Sequence, residues 1–269
     1  IVITNDSLSL TAAKGLQVNT AGKVTVQPYG NDFSSPMTYP INNFVISSNV
    51  SGLTIGKDIG STAHTDTVTI GGPTSINGPI NVYAGTINVN AALNTSSGGA
   101  NGDILFKASG AITQADNVSV TTNGGDVTYW ADSDSADGGY AWFKSGSSVN
   151  TTSAANITVS GGIVANVAAL TSGGSATGMT TTMGNGVTLD GVSFNSYGGN
   201  IAIRGKSATS MTSYVASIGP VGNANGIRAH GNITVDAGTG KLSMWGYAQS
   251  SSGSSNGIEL STSASTYKS

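Results

Sequence analysis

The residues best suited to chemistry in this chain sit in one polar insertion, DSDSAD, inside the stretch GGDVTYWADSDSADGGYAWF from Gly124 to Phe143. Asp132, Asp134 and Asp137 place three carboxylates within six residues, a density that can wrap a hard cation such as Ca²⁺. The spacing departs from an EF-hand loop, because Ala136 stands where the third ligand belongs and no Glu occupies the twelfth position. The insertion therefore reads first as a solvated surface turn, and Ca²⁺ is the cofactor it would take if it took one. His64, beside Asp66 in STAHTDT, and His230, near Arg228 in GIRAHGN, are the only histidines. Neither stands in a nucleophile-elbow context, and both read as exposed turn residues. Arg204 and Arg228 are the only arginines and have Asp190 or Asp236 as conceivable partners. Glycoside chemistry needs carboxylates converging on one groove, and thirteen acids scattered over 269 residues give little reason to expect convergence. The chain is read as a non-enzyme.

Aromatic side chains offer a different kind of site. Tyr129, Trp130, Tyr140, Trp142, Phe143, Trp245 and Tyr247 cluster in or beside glycine-led phrases, and flat rings can stack on sugars or anchor a protein interface. Trp130, Tyr140, Trp245 and Tyr247 are the expected interaction surface, whereas alternate members such as Tyr129 and Trp142 are expected to fill the core.

The elements that must hold these residues are short strands. Four phrases align on Gly102, Gly125, Gly199 and Gly240. Each continues with a polar residue, an apolar one (Ile104, Val127, Ile201, Leu242), and a second large residue two places on (Phe106, Tyr129, Ile203, Met244). An apolar pair at period two buries one side of a strand at each copy. The next position carries Lys107, Trp130, Arg204 and Trp245, which would lie along an outer face. The intervals from Gly102 to Gly125, from Gly125 to Gly199 and from Gly199 to Gly240 approximate one, three and two steps of a common length in the low-to-middle twenties. NITV recurs at Asn156 and Asn232, and NGI at Asn225 and Asn256 follows its glycine phrase at varying distance. The pattern predicts a β-solenoid whose coils bear a variable loop on one side. Further strands are expected at IVI, LSL, LQV, VTV, FVI, LTIG, TVTI, INVYA and INVNAAL. The best helix candidate is IVANVAAL, residues 163–170, too short to insist on.

Composition agrees with that architecture. Gly makes up 39 residues and charged side chains only 9%, against roughly 25% in an average globular protein. Hydroxyls and amides must therefore solvate the surface, and Asn and Gly suit coil corners that need left-handed backbone angles. Asn side chains stacked at such corners can hydrogen-bond along the rod. Residues 28–43, with Pro28, Pro36 and Pro40 among Tyr29, Phe33 and Tyr39, read as a loop leaving the regular coils. A net charge of −3 with single, dispersed lysines argues against nucleic acid. No apolar run approaches the roughly 20 residues that span a bilayer, which argues against membrane insertion. No cysteine is present, so disulfides and thiolate metal sites are excluded.

The run GPINVYAGTINVNAAL from Gly78 to Leu93, with GDILFKASGAIT and NGGDVTYWA after it, resembles the filamentous-haemagglutinin-like and other giant β-strand-repeat surface adhesins of Gram-negative bacteria. The resemblance covers about Val45 to Leu260 and lies in the style of repeat. It implies an all-β, right-handed parallel β-helix (a β-solenoid) forming a single domain over 1–269. About twelve coils are expected, each of roughly 20–25 residues. The resemblance also implies export to the cell surface and a structural or adhesive role. Expected partners are a host or neighbouring-cell surface, glycans, or identical chains in a filament. The start of the chain has no secretory signal, so the sequence is expected to be an internal piece of a longer protein. The alternative is a carbohydrate-active β-helix, a lyase, a hydrolase or a lectin-like binder.

Overall fold

The computed structural model describes residues 1–6, 16–41, 44–98, 102–136, 138–162, 174–179, 183–209, 224–249, 255–261 and 265–269. Its described residues form parallel strands without any helix, so none is long and apolar enough to cross a membrane. LSL and the helix candidate at 163–170 lie outside the described residues.

Strands come in threes. In one coil, Ile80–Ala84 is followed by Thr86–Val89 and Leu93–Gly98, and each pairs in parallel with its equivalent in the next coil: Ile104–Ala108, Ile112–Gln114 and Ser119–Asn123. Repetition of this triplet builds three long sheets around one continuous core, a three-sided parallel β-helix. Backbone groups pair between coils at about 4.8 Å spacing.

The four glycine phrases all lie on the first sheet and are in register. Ile104 is opposite Val127 and Phe106 opposite Tyr129, while Ile201 is opposite Leu242 and Ile203 opposite Met244. Strand Ile157–Gly161 bridges the two halves. The expected alternation holds because period-two apolar residues have one core to enter. Ile104, Phe106, Val127, Tyr129, Ile157, Val159, Ile201 and Ile203 are all buried. Aromatics from the three sheets meet at the centre, with Phe106 4.9 Å from Tyr129, Tyr129 4.8 Å from Phe143, and Phe143 4.9 Å from Phe194.

Coil number differs from expectation. The first sheet stacks Val2–Thr4, Lys23–Gln27, Gly52–Ile55, Ile80–Ala84, Ile104–Ala108, Val127–Ala131, Ile157–Gly161, Ile201–Lys206 and Leu242–Tyr247, which makes nine coils among the described residues in place of twelve. Eight intervals give a stack of roughly 40 Å. The interval from Gly125 to Gly199 is two coils, and that from Gly199 to Gly240 is one. The surplus length falls between the first and second sheets, between Ile157–Gly161 and Val187–Asp190 and between Ile201–Lys206 and Ile227–His230. The two NITV copies are not equivalent either, because Ile157 lies on the first sheet while Thr234–Asp236 lies on the third.

Corners carry the expected turn chemistry. Between the second and third sheets, Asn117 (φ 58°), Gly146 (φ 73°), Gly191 (φ 61°) and Gly231 (φ 79°) stack in left-handed conformations. The Gly146 N–H donates to the Gly191 carbonyl at 3.0 Å. The segment 28–43 leaves the coils only in part: Met37–Tyr39 is a second-sheet strand paired with Val68–Ile70. Pro36 and Pro40 flank that strand and so interrupt no ladder bond, while Tyr39 is fully buried against Phe44.

Candidate functional site

The corner joining the first sheet to the second determines where a ligand can sit. In two successive coils it is tight, with only Gly85 between Ile80–Ala84 and Thr86–Val89, and residues 109–111 before Ile112–Gln114. The coil before carries a loop there, residues 56–66, and the coil after carries residues 132–140, which include the DSDSAD insertion. Between these two walls lies a cleft of about 250 Å³, lined among others by His64, Thr65, Thr86, Ser109 and Asp134. Its floor is the backbone of Gly85 and Gly110, where the Gly110 N–H donates to the Gly85 carbonyl at 2.7 Å. A Cβ at Gly85 would lie 2.7 Å from the carbonyl oxygens of both His64 and Asp66, so the tight corner requires glycine.

Behind the cleft wall, three ionisable side chains converge from two coils. Pairing of Met37 with Val68 aligns the segments just ahead of each strand, which brings Asp32 against His64 and Asp66. Asp32 Oδ1 lies 2.7 Å from His64 Nδ1, and the His64 side chain is only 6% exposed. The Thr65 hydroxyl donates to Asp32 Oδ2 at 3.0 Å. Asp66 accepts the Gly85 N–H on Oδ1 at 2.9 Å and the Phe33 N–H on Oδ2 at 3.2 Å. Ser109 Oγ accepts the His64 N–H at 2.9 Å and donates to the His64 carbonyl at 2.8 Å, which fixes the backbone beneath the ring.

His64 is therefore not the exposed turn residue that its local sequence suggests. Its partner Asp32 is 32 residues away, in a segment expected to leave the coils, so no local pattern marks the contact. His230 does remain exposed, 3.4 Å from Asp190. Asp236 faces Lys268, also at 3.4 Å.

Burial pushes the Asp66 carboxyl above its ordinary value and the Asp32 charge adds to the rise, against the lowering by the Gly85 and Phe33 N–H groups. A carboxyl raised in the fold holds its proton more tightly than in the unfolded chain, whose value is about 3.9. This group then opposes folding above its folded pKa and ceases to do so below about 3.9. Wild type should gain stability relative to Asp66→Asn as pH falls from neutral through the window above about 4. Paired thermal melts across that range check this, and a difference that moves the other way contradicts it.

Asp58 behaves oppositely. Burial alone would raise it, but hydrogen bonds from Lys107 and the Gly60 N–H, with the Lys107 charge, outweigh burial and hold the carboxyl below its ordinary value. Lys107 is buried on the outer side of the first sheet, 2.7 Å from Asp58 and 4.6 Å from the Trp130 ring centroid.

Of the expected cation ligands, Asp132 is buried, with φ at 53°, and its N–H donates to the Gly110 carbonyl at 3.1 Å. Its own carbonyl accepts N–H groups from Ser135 and Gly162. Asp134 is half-buried, lines the cleft and accepts the Ala136 N–H at 3.3 Å. Asp137 lies outside the described residues.

The aromatic residues divide by strand phase. Tyr129 and Phe143 are in the core, as expected for Tyr129. Trp142 is not: Ala141 and Phe143 point inward, so Trp142 faces out, half-buried, with Lys144 Nζ 4.6 Å from its ring centroid. Trp130 is half-buried and donates its indole N–H to the Gly162 carbonyl at 2.7 Å. Tyr140 is also half-buried. Trp245 and Tyr247 are 45% and 49% exposed and stack with centroids 6.1 Å apart at 19°.

Comparison with protein-family models, curated proteins and solved structures gave no match.

Proposed function

We propose that this chain is a non-catalytic, structural and adhesive segment of a bacterial cell-surface filament or giant adhesin, working outside the cell. The observation that carries the reading is the unbroken in-register stack, with one core running from Val18 to Ala237. Such a stack is stiff along its axis, because every coil pairs its backbone with both neighbours. Length variation concentrated at one corner leaves the other sides more regular, which suits side-by-side packing or repeated weak contacts. The stacked pair Trp245 and Tyr247 gives a flat apolar surface of the kind that meets sugar rings or another protein.

The test is display of the chain on a non-adherent bacterium, with retention on epithelial cells and on glycan-coated surfaces measured under flow. Retention should rise about tenfold over the empty display strain. The double change Trp245→Ala and Tyr247→Ala should return it to background while melting is unchanged, as expected of exposed positions. Absence of retention on every surface would sink the reading. The second reading, a carbohydrate-active β-helix, draws on the cleft that Asp134 and His64 line together. Release of reducing ends from polysaccharides by wild type, lost in Asp134→Asn, would favour it over adhesion.

A further inference from the structure

We propose that Asp32, His64 and Asp66 form a binding site for a divalent transition metal of the Zn²⁺ class. One donor atom from each of the three side chains lies within 4.8 Å of the other two. Around a tetrahedral ion with bonds of about 2.0–2.1 Å, donors stand roughly 3.3 Å apart. The 2.7 Å Asp32–His64 contact would open by about half an ångström when the ion replaces the shared proton, and the wider pairs would close in.

Three independent features separate this group from an ordinary surface cluster. Two of its three members are buried, the His64 side chain 6% exposed and Asp66 7%, with Asp32 half-buried beside them. It is short of positive charge, since among the described residues neither carboxylate pairs with Lys or Arg, so two carboxylates face a single imidazole. A dication in place of the imidazole proton corrects that imbalance. The donors also arrive already held. Thr65 holds Asp32 Oδ2, the Gly85 and Phe33 N–H groups hold Asp66, and Ser109 clamps the His64 backbone. Such outer partners orient ligands in metal centres and raise their affinity.

Donor chemistry selects the metal. Two oxygens and one imidazole nitrogen suit Zn²⁺, Co²⁺, Ni²⁺ or Mn²⁺, and a soft ion lacks thiolates because the chain has no cysteine. Ca²⁺ takes six to eight oxygens and is poorly served by three donors that include a nitrogen. Because His64 and Thr65 also line the cleft, a fourth position on the ion would open toward it, for water or a ligand oxygen. The site stands whether or not the adhesive reading holds.

The experiment is calorimetric titration of chelator-stripped protein with Zn²⁺, with visible absorption of the Co²⁺ form as a second readout. Wild type should bind one Zn²⁺ per chain and give the intense bands of four-coordinate Co²⁺. His64→Gln and Asp32→Asn should each weaken binding by at least about a hundredfold and remove the bands, and Thr65→Val should weaken it by about tenfold. His230→Gln serves as the control and should bind as wild type. Should His64→Gln fail to fold, Asp32→Asn and Thr65→Val carry the comparison. No uptake of Zn²⁺ by wild type at millimolar concentration overturns the site. So does binding that survives both Asp32→Asn and Thr65→Val unchanged, because the three side chains are then only a hydrogen-bonded network.

Discussion

Gln114→Leu should cost the protein about 1–3 kcal/mol, although leucine matches glutamine closely in volume. Gln114 ends the strand Ile112–Gln114 with its side chain inward and fully buried. Its amide donates to the carbonyls of Val118 at 2.8 Å and Ser148 at 3.0 Å, and its Oε1 accepts the Tyr129 hydroxyl at 2.6 Å. From the second side of the helix, one side chain thus reaches the first side at Tyr129 and the third at Ser148; the Val118 carbonyl also accepts the Ser148 N–H at 2.9 Å, so the Tyr129 hydroxyl is the group that depends on Gln114. The buried Tyr129 hydroxyl left without a partner costs about 1–3 kcal/mol, while the Val118 carbonyl loses only its second donor. Tyr129→Phe should cost about 1–2 kcal/mol, since it orphans only Gln114 Oε1. Tyr129→Ala should cost about 3–5 kcal/mol by emptying the aromatic stack with Phe106 and Phe143. Burial pushes the Tyr129 phenol well above its ordinary value, so it is a neutral donor at pH 7. Denaturant unfolding of Gln114→Leu, Tyr129→Phe and the double variant closes a cycle, in which the coupling should exceed about 0.5 kcal/mol. A Gln114→Leu variant within about 0.5 kcal/mol of wild type would contradict the argument.

What the sequence disclosed follows from which signals are periodic. Ile104 and Phe106, or Ile201 and Ile203, reveal their register because both members of each pair must enter the same core. Coil number was not legible, because the short step from Gly102 to Gly125 and the long one from Gly199 to Gly240 begin with the same glycine phrase and differ only in corner excursions. NITV misled for a related reason: four alternating residues fit any of the three sheets, and Asn156 and Asn232 precede strands on different ones. Trp142 misled because its inward neighbour on one side is the small Ala141; the phase is set by Phe143. The Asp32–His64 contact crosses between coils and has no local signature. The cleft did leave one readable trace. Aligning INVYAGTI, ILFKASGAI and VTYWADSDSADGGYAWF shows one and three residues at a corner where the next coil inserts nine.

Gly125→Ala should destabilise the protein by about 3 kcal/mol, at the upper end of the usual cost of overpacking. A Cβ at Gly125 would lie 2.3 Å from the Gly102 carbonyl carbon, 2.4 Å from its oxygen and 2.7 Å from the Asp103 nitrogen. These are backbone atoms of the coil below, so no side-chain rotation relieves the contact. The next residue along holds them in place through a ladder. The Asp126 N–H donates to Asp103 Oδ1 at 2.8 Å, and the Asn156 N–H to Asp126 Oδ1 at 2.7 Å. The Asn200 N–H donates to Asn156 Oδ1 at 3.1 Å, and the Lys241 N–H to Asn200 Oδ1 at 3.0 Å. Lifting one coil to admit a methyl group would stretch that ladder and the parallel pairing beside it. Ala155 stands at the same corner one coil later and carries its Cβ there. It is buried and is reached through residues 151–156, a turn twice as long as 124–126. Gly199, whose Cβ would lie 2.0 Å from the Ala155 oxygen, should behave like Gly125. Gly30 is exposed with nothing within 4 Å of its ideal Cβ, so Gly30→Ala should stay within about 0.5 kcal/mol of wild type. Denaturation midpoints of the three variants decide the matter. If Gly125→Ala unfolds at the midpoint of Gly30→Ala, the close stacking of glycine corners is not what fixes the coil spacing.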